Sequence, residues 1–337
     1  MSHVIRVLPS EKTYNCEDDD TLLRSGLRAG LGMPYECNVG ACGTCKYELV
    51  SGEVETLWEE APGLSARDHG RGRKLLCQSR PRSDCTIRAV LNEKCVPRHP
   101  PRKIKAKLLS RDMLTGDMAY FAFDLGTASP FLPGQYALFT LPGIPGLRAY
   151  SMANAKGDRG IWEFIIRRLP EGAATGFLFE KLAIGDKVSM DGPYGLAYFR
   201  EDSPRHAILL AGGSGLAPIL SVARAIAEKG GIKAYVFYGG RGPSDLVAEK
   251  LLQDLPAFGE RIFCFSAPSV PELAQEAGWT GKVCFVHELL QHTLPKEVIA
   301  EAEVYLAGPP PMVEAALKLL AMDYRLPTER IHFDRFF

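Results

Sequence analysis

The chain has 337 residues, enough for two or three domains. Its 40 Lys and Arg balance its 40 Asp and Glu, so no net charge draws it to nucleic acid or to an acidic membrane surface. The first residues, Met1-Ser-His-Val-Ile-Arg6, lack the apolar stretch of a signal peptide. The longest apolar run, residues 207–227, is interrupted by Gly212, Gly213, Gly215, Pro218 and Arg224, which favours strand, turn and helix over a membrane span.

Residues 3–8 alternate as a strand, and Thr13 to Cys16 can form its hairpin partner. Glu17-Asp18-Asp19-Asp20 reads as a loop ending in a helix cap. Asp20 or Thr21 caps, and Leu22, Leu23 and Leu27 form the inward stripe. Gly30 and Gly32 stop the helix. Then comes Cys37-Asn-Val-Gly-Ala-Cys42-Gly-Thr-Cys45, a C-x4-C-x2-C run, with Cys77 following in Leu75-Leu76-Cys77-Gln78. This is the plant-type spacing of a [2Fe–2S] cluster, whose fourth thiolate comes from a distant segment. Two sulfide-bridged irons need four converging thiolates. A tight loop can supply three, with Gly40 and Gly43 free to take positive φ and loop amides able to donate to sulfur. Zinc is the rival occupant, although only one C-x2-C pair is present where zinc sites usually show two; a disulfide is the other alternative. Of the nine cysteines, Cys16, Cys85, Cys95, Cys264 and Cys284 are scattered singly and read as free thiols, which fits a reducing cytoplasm.

A strand at 46–50, a turn at Ser51-Gly52 and an alternating strand at 86–91 complete this unit. The order of elements, with Pro34-Tyr35-Glu36-Cys37 followed by Gly40, Cys42, Gly43 and Cys45, resembles the β-grasp plant-type ferredoxins. Val96-Pro-Arg-His-Pro-Pro101 is a stiff linker and marks a boundary.

Strands are expected at 104–110, 118–125, 136–141, 162–168 and 187–191, spaced like an antiparallel barrel. Within them, Pro133-Gly-Gln-Tyr136, Arg148-Ala-Tyr150-Ser151, Ile165-Ile-Arg167 and Gly172-Ala-Ala174-Thr175 follow in order. Taken singly, Tyr150 is a core aromatic and the arginines are solvated. The ordered series resembles the flavin domain of the ferredoxin–NADP reductase superfamily. The resemblance implies that Tyr150 lies against the isoalloxazine and that Ser151 hydrogen-bonds near its N5 edge. It also implies that Arg148 and Arg167 pair with the diphosphate or AMP portion, where a guanidinium fork suits phosphate oxygens, and that Gly172 to Thr175 opens a helix that receives the diphosphate. Asp191-Gly-Pro-Tyr-Gly195 is expected as a turn, and residues 201–205 as a charged connector.

From His206 the pattern changes. A buried strand at 207–211, the turn Gly212-Gly213-Ser-Gly215-Leu-Ala-Pro218 and a helix at 219–228 have the geometry that sets a dinucleotide diphosphate at a helix N-terminus. A strand at 234–238 ends at Gly239-Gly-Arg241, a helix covers 245–252, a strand 262–265, and residues 281–287 form a glycine-led region. Residues 304–307 form the last clear strand and run into Gly308-Pro309-Pro-Pro-Met312. The Gly-Gly-x-Gly-x-Ala-Pro and Gly-Pro-Pro-x-Met strings are similar to those of the same reductases. Where that family has cysteine, near the nicotinamide–flavin contact, this chain has Ala307, which implies slower hydride transfer or a more loosely placed nicotinamide. The tail, Ile331-His-Phe-Asp-Arg-Phe-Phe337, resembles a family device in which a C-terminal aromatic covers a flavin face, with Phe336 as that residue; the alternative is packing of the tail on the core.

The resemblance spans the whole chain. It implies a β-grasp [2Fe–2S] ferredoxin domain (residues 1–95), a linker (96–101), an antiparallel β-barrel FAD domain (102–200) and a Rossmann-like parallel α/β NAD(P) domain with an aromatic tail (201–337). This arrangement resembles the reductases of bacterial multicomponent oxygenases, toluene-type monooxygenases above all. It implies a chain that takes a hydride from NAD(P)H onto FAD and passes single electrons through the cluster to an oxygenase, or to a separate ferredoxin such as a Rieske-type one, in aromatic hydrocarbon oxidation. NADH is the expected donor and NADPH the alternative. Arg241 stands where a 2′-phosphate or ribose would be read. A redox-sensing regulator with weak NAD(P)H oxidation is the other functional reading, resting on Ala307. No catalytic triad, paired carboxylates or phosphate-binding P-loop is present.

Overall fold

The computed structural model describes residues 1–337. Strands β1 (Ser2–Leu8) and β2 (Lys12–Glu17) form the opening hairpin, followed by α1 (Leu22–Arg28), β3 (Lys46–Ser51), β4 (Val54–Thr56), α2 (Ala66–Gly70), β5 (Arg73–Leu75), β6 (Ser79–Pro81) and β7 (Cys85–Arg88). The main sheet has the order β2-β1-β7-β3-β5, with β4 and β6 paired separately. Thr21 caps α1 by accepting from the Arg24 amide, and Leu22, Leu23 and Leu27 are fully buried, as the apolar spacing requires. The acidic run does not end as a solvated patch. Asp20 is buried, and its carboxylate meets Arg24 and Arg28. The closing strand stops at Arg88, short of the expected residue 91. The chain leaves the sheet after Ala89, whose amide still donates to Leu8, and Asn92 donates to Gly32.

The second sheet comprises β8 (Arg102–Met113), β9 (Met118–Asp124), β10 (Tyr136–Thr140), β11 (Arg148–Ser151), β12 (Ile161–Arg167) and β13 (Lys187–Tyr194) in the order β11-β10-β13-β8-β9-β12. An antiparallel bridge between Met152 and Phe164 joins its two edges, which closes the sheet as a barrel. A short helix, α3 (Ala173–Gly176), precedes β13. The turn expected at 191–195 is instead strand through Tyr194. Its ladder to β8 runs on to Gly192, and Tyr136 pairs with Tyr194; only Gly195, at φ +109°, leaves the sheet.

The third unit alternates β14 (Ala207–Gly212), α4 (Leu216–Lys229), β15 (Ala234–Gly240), α5 (Ala248–Leu252), β16 (Ile262–Pro268), α6 (Pro271–Glu276), α7 (Val286–Thr293), α8 (Lys296–Glu301), β17 (Glu303–Gly308), α9 (Pro310–Lys318) and β18 (Ile331–Arg335). The sheet is parallel, in the order β16-β15-β14-β17-β18. The strand order reverses between β14 and β17, so their C-terminal ends, Gly212 and Gly308, flank the crevice where such sheets bind ligands. Residues 304–307 are not the last strand. The tail adds β18 beside β17, with Ala307 opposite Asp334 and Gly308 opposite Arg335. No helix is long and apolar enough to cross a membrane.

The units share cores. Tyr136, Leu138 and Tyr194 of the barrel belong to the apolar cluster of the first unit, and Met118, Ala153 and Ile165 to that of the third. Tyr35 meets Tyr194 edge-on and accepts from the Gly195 amide at 2.9 Å, while Arg28 bridges Asp20 to Asp191. Buried surface, and not the linker alone, therefore fixes the first unit on the barrel.

Candidate cofactor cleft and cysteine loop

The loop from Cys37 to Cys45 is irregular because its hydrogen bonds turn inward. Asn38 (φ +57°), Gly40 (+95°) and Gly43 (+74°) take left-handed conformations. A Cβ on Gly43 would lie 2.4 Å from the Gly63 carbonyl oxygen, so only glycine lets the 57–63 segment close over the loop. The Gly63 amide donates to Gly40 at 2.9 Å from that segment. Cys77 arrives on a turn between β5 and β6.

The four thiols fall into two pairs, Cys37 with Cys42 and Cys45 with Cys77. A hydrogen bond from the Cys37 thiol, aided by the Thr44 side chain and amide, pulls the Cys42 pKa down to about 5. The Cys45 thiol lowers Cys77 in the same way, and the donors Cys37 and Cys45 are pushed up. The Cys42 amide also points at Cys37 Sγ (3.3 Å) and the Thr44 amide at Cys42 Sγ (3.4 Å). No three His, Cys, Asp or Glu side chains converge on a point suited to one ion. Paired thiolates supported by backbone N–H groups fit two bridged irons better than a single tetrahedral zinc. Both amide atoms of the buried Asn38 side chain lack partners beside this loop. None of the nine cysteines is in a disulfide.

Beside the loop lies a cavity of about 590 Å³. Its walls come from all three units. The barrel contributes Arg148, Tyr150 and Ser151 on β11, Ile165 and Arg167 on β12, and Gly172, Ala174 and Thr175 at the start of α3. The third unit contributes Gly212, Gly213, Pro309 and Phe336, and the first contributes Glu36 and Cys37. A second cavity of about 860 Å³ adjoins it through Arg167 and Gly172 and is edged by Arg241. Both volumes fall in the range of small-molecule and cofactor sites.

Tyr150 packs edge-on against Phe139 at 5.0 Å, and burial raises its phenol to about 12. Ser151 is buried. Arg167 has two buried donors, Nε and one terminal nitrogen, without a hydrogen-bond partner. Asp117 and Asp245 stand near those nitrogens, at 3.4 and 3.3 Å. Such underused guanidinium donors fit phosphate oxygens. Thr175 spends its hydroxyl inside the loop, accepting from the Leu169 amide and donating to the Gly172 carbonyl, so it shapes the turn.

Other expected residues lie behind the walls. A Cβ on Gly215 would come within 2.1 Å of the Ala307 carbonyl oxygen; this glycine lets α4 approach β17. Pro218 is buried in the first turn of α4. Ala307 is 2% exposed and does not line the cavity, and Gly308 hydrogen-bonds Phe336 through its carbonyl. Arg241 is engaged by two carboxylates, Asp117 at 3.0 Å and Asp245 at 3.3 Å.

Three lining groups escaped the sequence reading. Glu36 receives both Arg335 donors, at 2.9 and 2.7 Å. Asp334, next to Arg335, is buried with one oxygen unpartnered; burial, and then the neighbouring Glu36, raise its carboxyl to about 7. The acidic residue within the aromatic tail was the available signal for Asp334. Nothing local signalled Glu36 or Arg335, because their partners lie at the other end of the chain.

Comparison with known proteins agrees with this three-part division. Residues 5–82 match the 2Fe-2S iron-sulfur cluster binding domain, 105–199 the oxidoreductase FAD-binding domain and 209–318 the oxidoreductase NAD-binding domain. The ferredoxin–NAD(P)(+) reductase CarAd of Metapseudomonas resinovorans is 37% identical over 324 residues, 96% of each chain. The ferredoxin–NAD(+) reductase component of the alkene monooxygenase system of Xanthobacter autotrophicus is 36% identical, over 96% of this chain and 98% of that one. The solved ferredoxin reductase in carbazole 1,9a-dioxygenase superposes with a TM-score of 0.91 at 34% identity, covering 100% of this chain and 99% of that one. With a [2Fe–2S] domain, an FAD domain and an NAD domain in that order, the chain belongs to the ferredoxin–NAD(P)+ reductases of oxygenase systems.

Proposed function

We propose that this chain oxidises a reduced nicotinamide and hands the electrons, one at a time, to a small ferredoxin or an oxygenase component that attacks an aromatic hydrocarbon. The observation that carries this reading is the shared cleft. Cys37 of the cysteine loop, Tyr150 and Ser151 of the barrel, and Gly212, Pro309 and Phe336 of the third unit line one cavity. When bound, a flavin accepts two electrons together and releases them singly, and a [2Fe–2S] centre carries them one by one. The chain's own work is positioning. Cys37, Cys42, Cys45 and Cys77 hold the cluster. Tyr150, Ser151, Ile165 and Phe336 would hold the flavin ring. Arg148, Arg167, Gly172, Ala174 and Thr175 take the flavin's phosphate end. Gly212, Gly213, Gly215 and Pro218, with Gly308 and Pro309, shape the nicotinamide nucleotide's crevice. The division at 1–95, 96–101, 102–200 and 201–337 follows these roles, and the five cysteines outside the cluster set, none of them in a disulfide, suit a reducing cytoplasm.

Ala307 is buried at the end of β17, and the regulator reading is not favoured, because the similar full-length proteins are reductases. We read the donor as NADH. Arg241 is already paired with Asp117 and Asp245, carboxylates it shares with Arg167, and a 2′-phosphate beside it would have to approach both. The test is steady-state reduction of cytochrome c, a one-electron acceptor. We expect turnover with NADH to exceed that with NADPH by roughly tenfold or more in kcat/KM. No turnover with either nucleotide would overturn the function, and a preference for NADPH would overturn the assignment of the donor.

A further inference from the structure

Glu36 immediately precedes Cys37, and two contacts hold it. Its backbone carbonyl accepts the Tyr136 hydroxyl at 2.6 Å. Its carboxylate takes the Arg335 fork in bidentate fashion, at 2.9 and 2.7 Å, across 299 residues of sequence. Both side chains are largely buried, 13% and 25% exposed. Arg335 ends β18, stands opposite Gly308 and directly precedes Phe336. Its guanidinium is flanked by the rings of Phe333 and Phe337, each 5.5 Å away, which restricts the fork's orientation. This pair is the sole hydrogen-bonded link between residues 1–95 and residues 201–337. The body of the first unit is anchored elsewhere, on the barrel, by Tyr35, Arg28 and their partners. Its absence would therefore loosen the cysteine loop and the tail without detaching the unit.

Resting on the function proposed above, we propose that Glu36 and Arg335 form a positioning clasp. The clasp fixes the cysteine loop against the flavin-side cleft and ties that placement to Phe336. It governs the passage of electrons from flavin to cluster more than it governs the nicotinamide step. A lysine at 335 keeps the charge but loses the fork, so it is a poor substitute.

The test compares Glu36→Gln, Arg335→Lys and the exchanged pair Glu36→Arg/Arg335→Glu with the wild-type holoprotein, each checked for iron and FAD content. Rapid anaerobic mixing with NADH separates flavin bleaching from cluster bleaching, and amide hydrogen exchange over residues 34–40 reports on the loop without turnover. We expect cluster bleaching to slow roughly tenfold relative to flavin bleaching in both single variants, the scale set by losing a charge-assisted bidentate pair. Exchange at the loop should quicken, and the exchanged pair should recover most of both effects. Arg335→Lys changes no residue of the cysteine loop and keeps the positive charge, so the test stands even if Glu36→Gln loses iron. Cluster bleaching that keeps pace with flavin bleaching, equal slowing of both steps, or unchanged loop exchange would overturn the clasp. A wild-type protein in which NADH bleaches neither chromophore would overturn the function instead.

Discussion

Cys77→Ala leaves a chain that binds FAD and passes electrons from NADH to ferricyanide but no longer delivers them to a protein acceptor. Cys77 is fully buried and is the one candidate thiolate outside the loop, so alanine removes one of four sulfurs. The loop donors Cys37, Cys42 and Cys45 supply only three of the four thiolates that a [2Fe–2S] centre needs. The cavity lined by Tyr150, Ser151 and Phe336 does not include Cys77, so the flavin end should be spared. Loss of a mere outer-shell partner costs a metal site about 10- to 100-fold, and loss of a ligand should reach or exceed the upper figure in cytochrome c reduction. Iron analysis, the visible spectrum and the two acceptor assays check this. A Cys77→Ala protein with intact iron–sulfur absorbance and undiminished cytochrome c reduction would remove Cys77 from the ligand set.

Asp334→Asn stabilises the protein at alkaline pH and has little effect near pH 4. Burial, with Glu36 adding like charge, raises the Asp334 carboxyl from 3.8 to about 7. The one strong cation at hand, Arg335, is committed to Glu36. Near pH 4 the folded chain holds the proton and the unfolded chain still holds much of it. Between pH 4 and pH 7 the folded chain alone holds it, so stability falls as pH rises. Above pH 7 the whole penalty stands, on the order of 4 kcal/mol for a shift of about three units. Asparagine is uncharged and escapes it. In a multidomain chain the quantity to read is the shift of the thermal midpoint. The variant should melt several degrees above wild type at pH 8 and within a degree or so of it at pH 4. An equal or lower midpoint at pH 8 would mean that the carboxylate is paired in the folded protein.

The parts of the molecule legible in sequence are those whose chemistry is local. The cysteine spacing needs a tight loop, and two of the loop's three positive φ values fall at Gly40 and Gly43, as its glycines suggested; the third, at Asn38, carried no such signal. The alternation of strands and helices after His206 could only yield a parallel sheet with its crevice at the glycine turn, and Gly212 and Gly213 stand there. What local pattern hid were pairings between distant segments. Asp191-Gly-Pro-Tyr-Gly195 has the composition of a turn, yet β8 and β10 hold most of it in the sheet. The tail is a strand because β17 has a free edge, which no window around residue 331 reveals. Gly215 belongs to a dinucleotide motif but serves packing, with the Ala307 carbonyl where a methyl would go. Arg241 has the charge to read a phosphate, but Asp117, 124 residues away in sequence, is already there.

One chain is to carry both centres and fill both from one nicotinamide. An anaerobic titration of the purified protein with NADH, and then with NADPH, followed in the visible spectrum, tests this most directly. NADH should bleach flavin and iron–sulfur bands alike, with uptake of about three electrons per chain, two for the flavin and one for the cluster. Both chromophores present in full and neither nucleotide able to reduce them would contradict it.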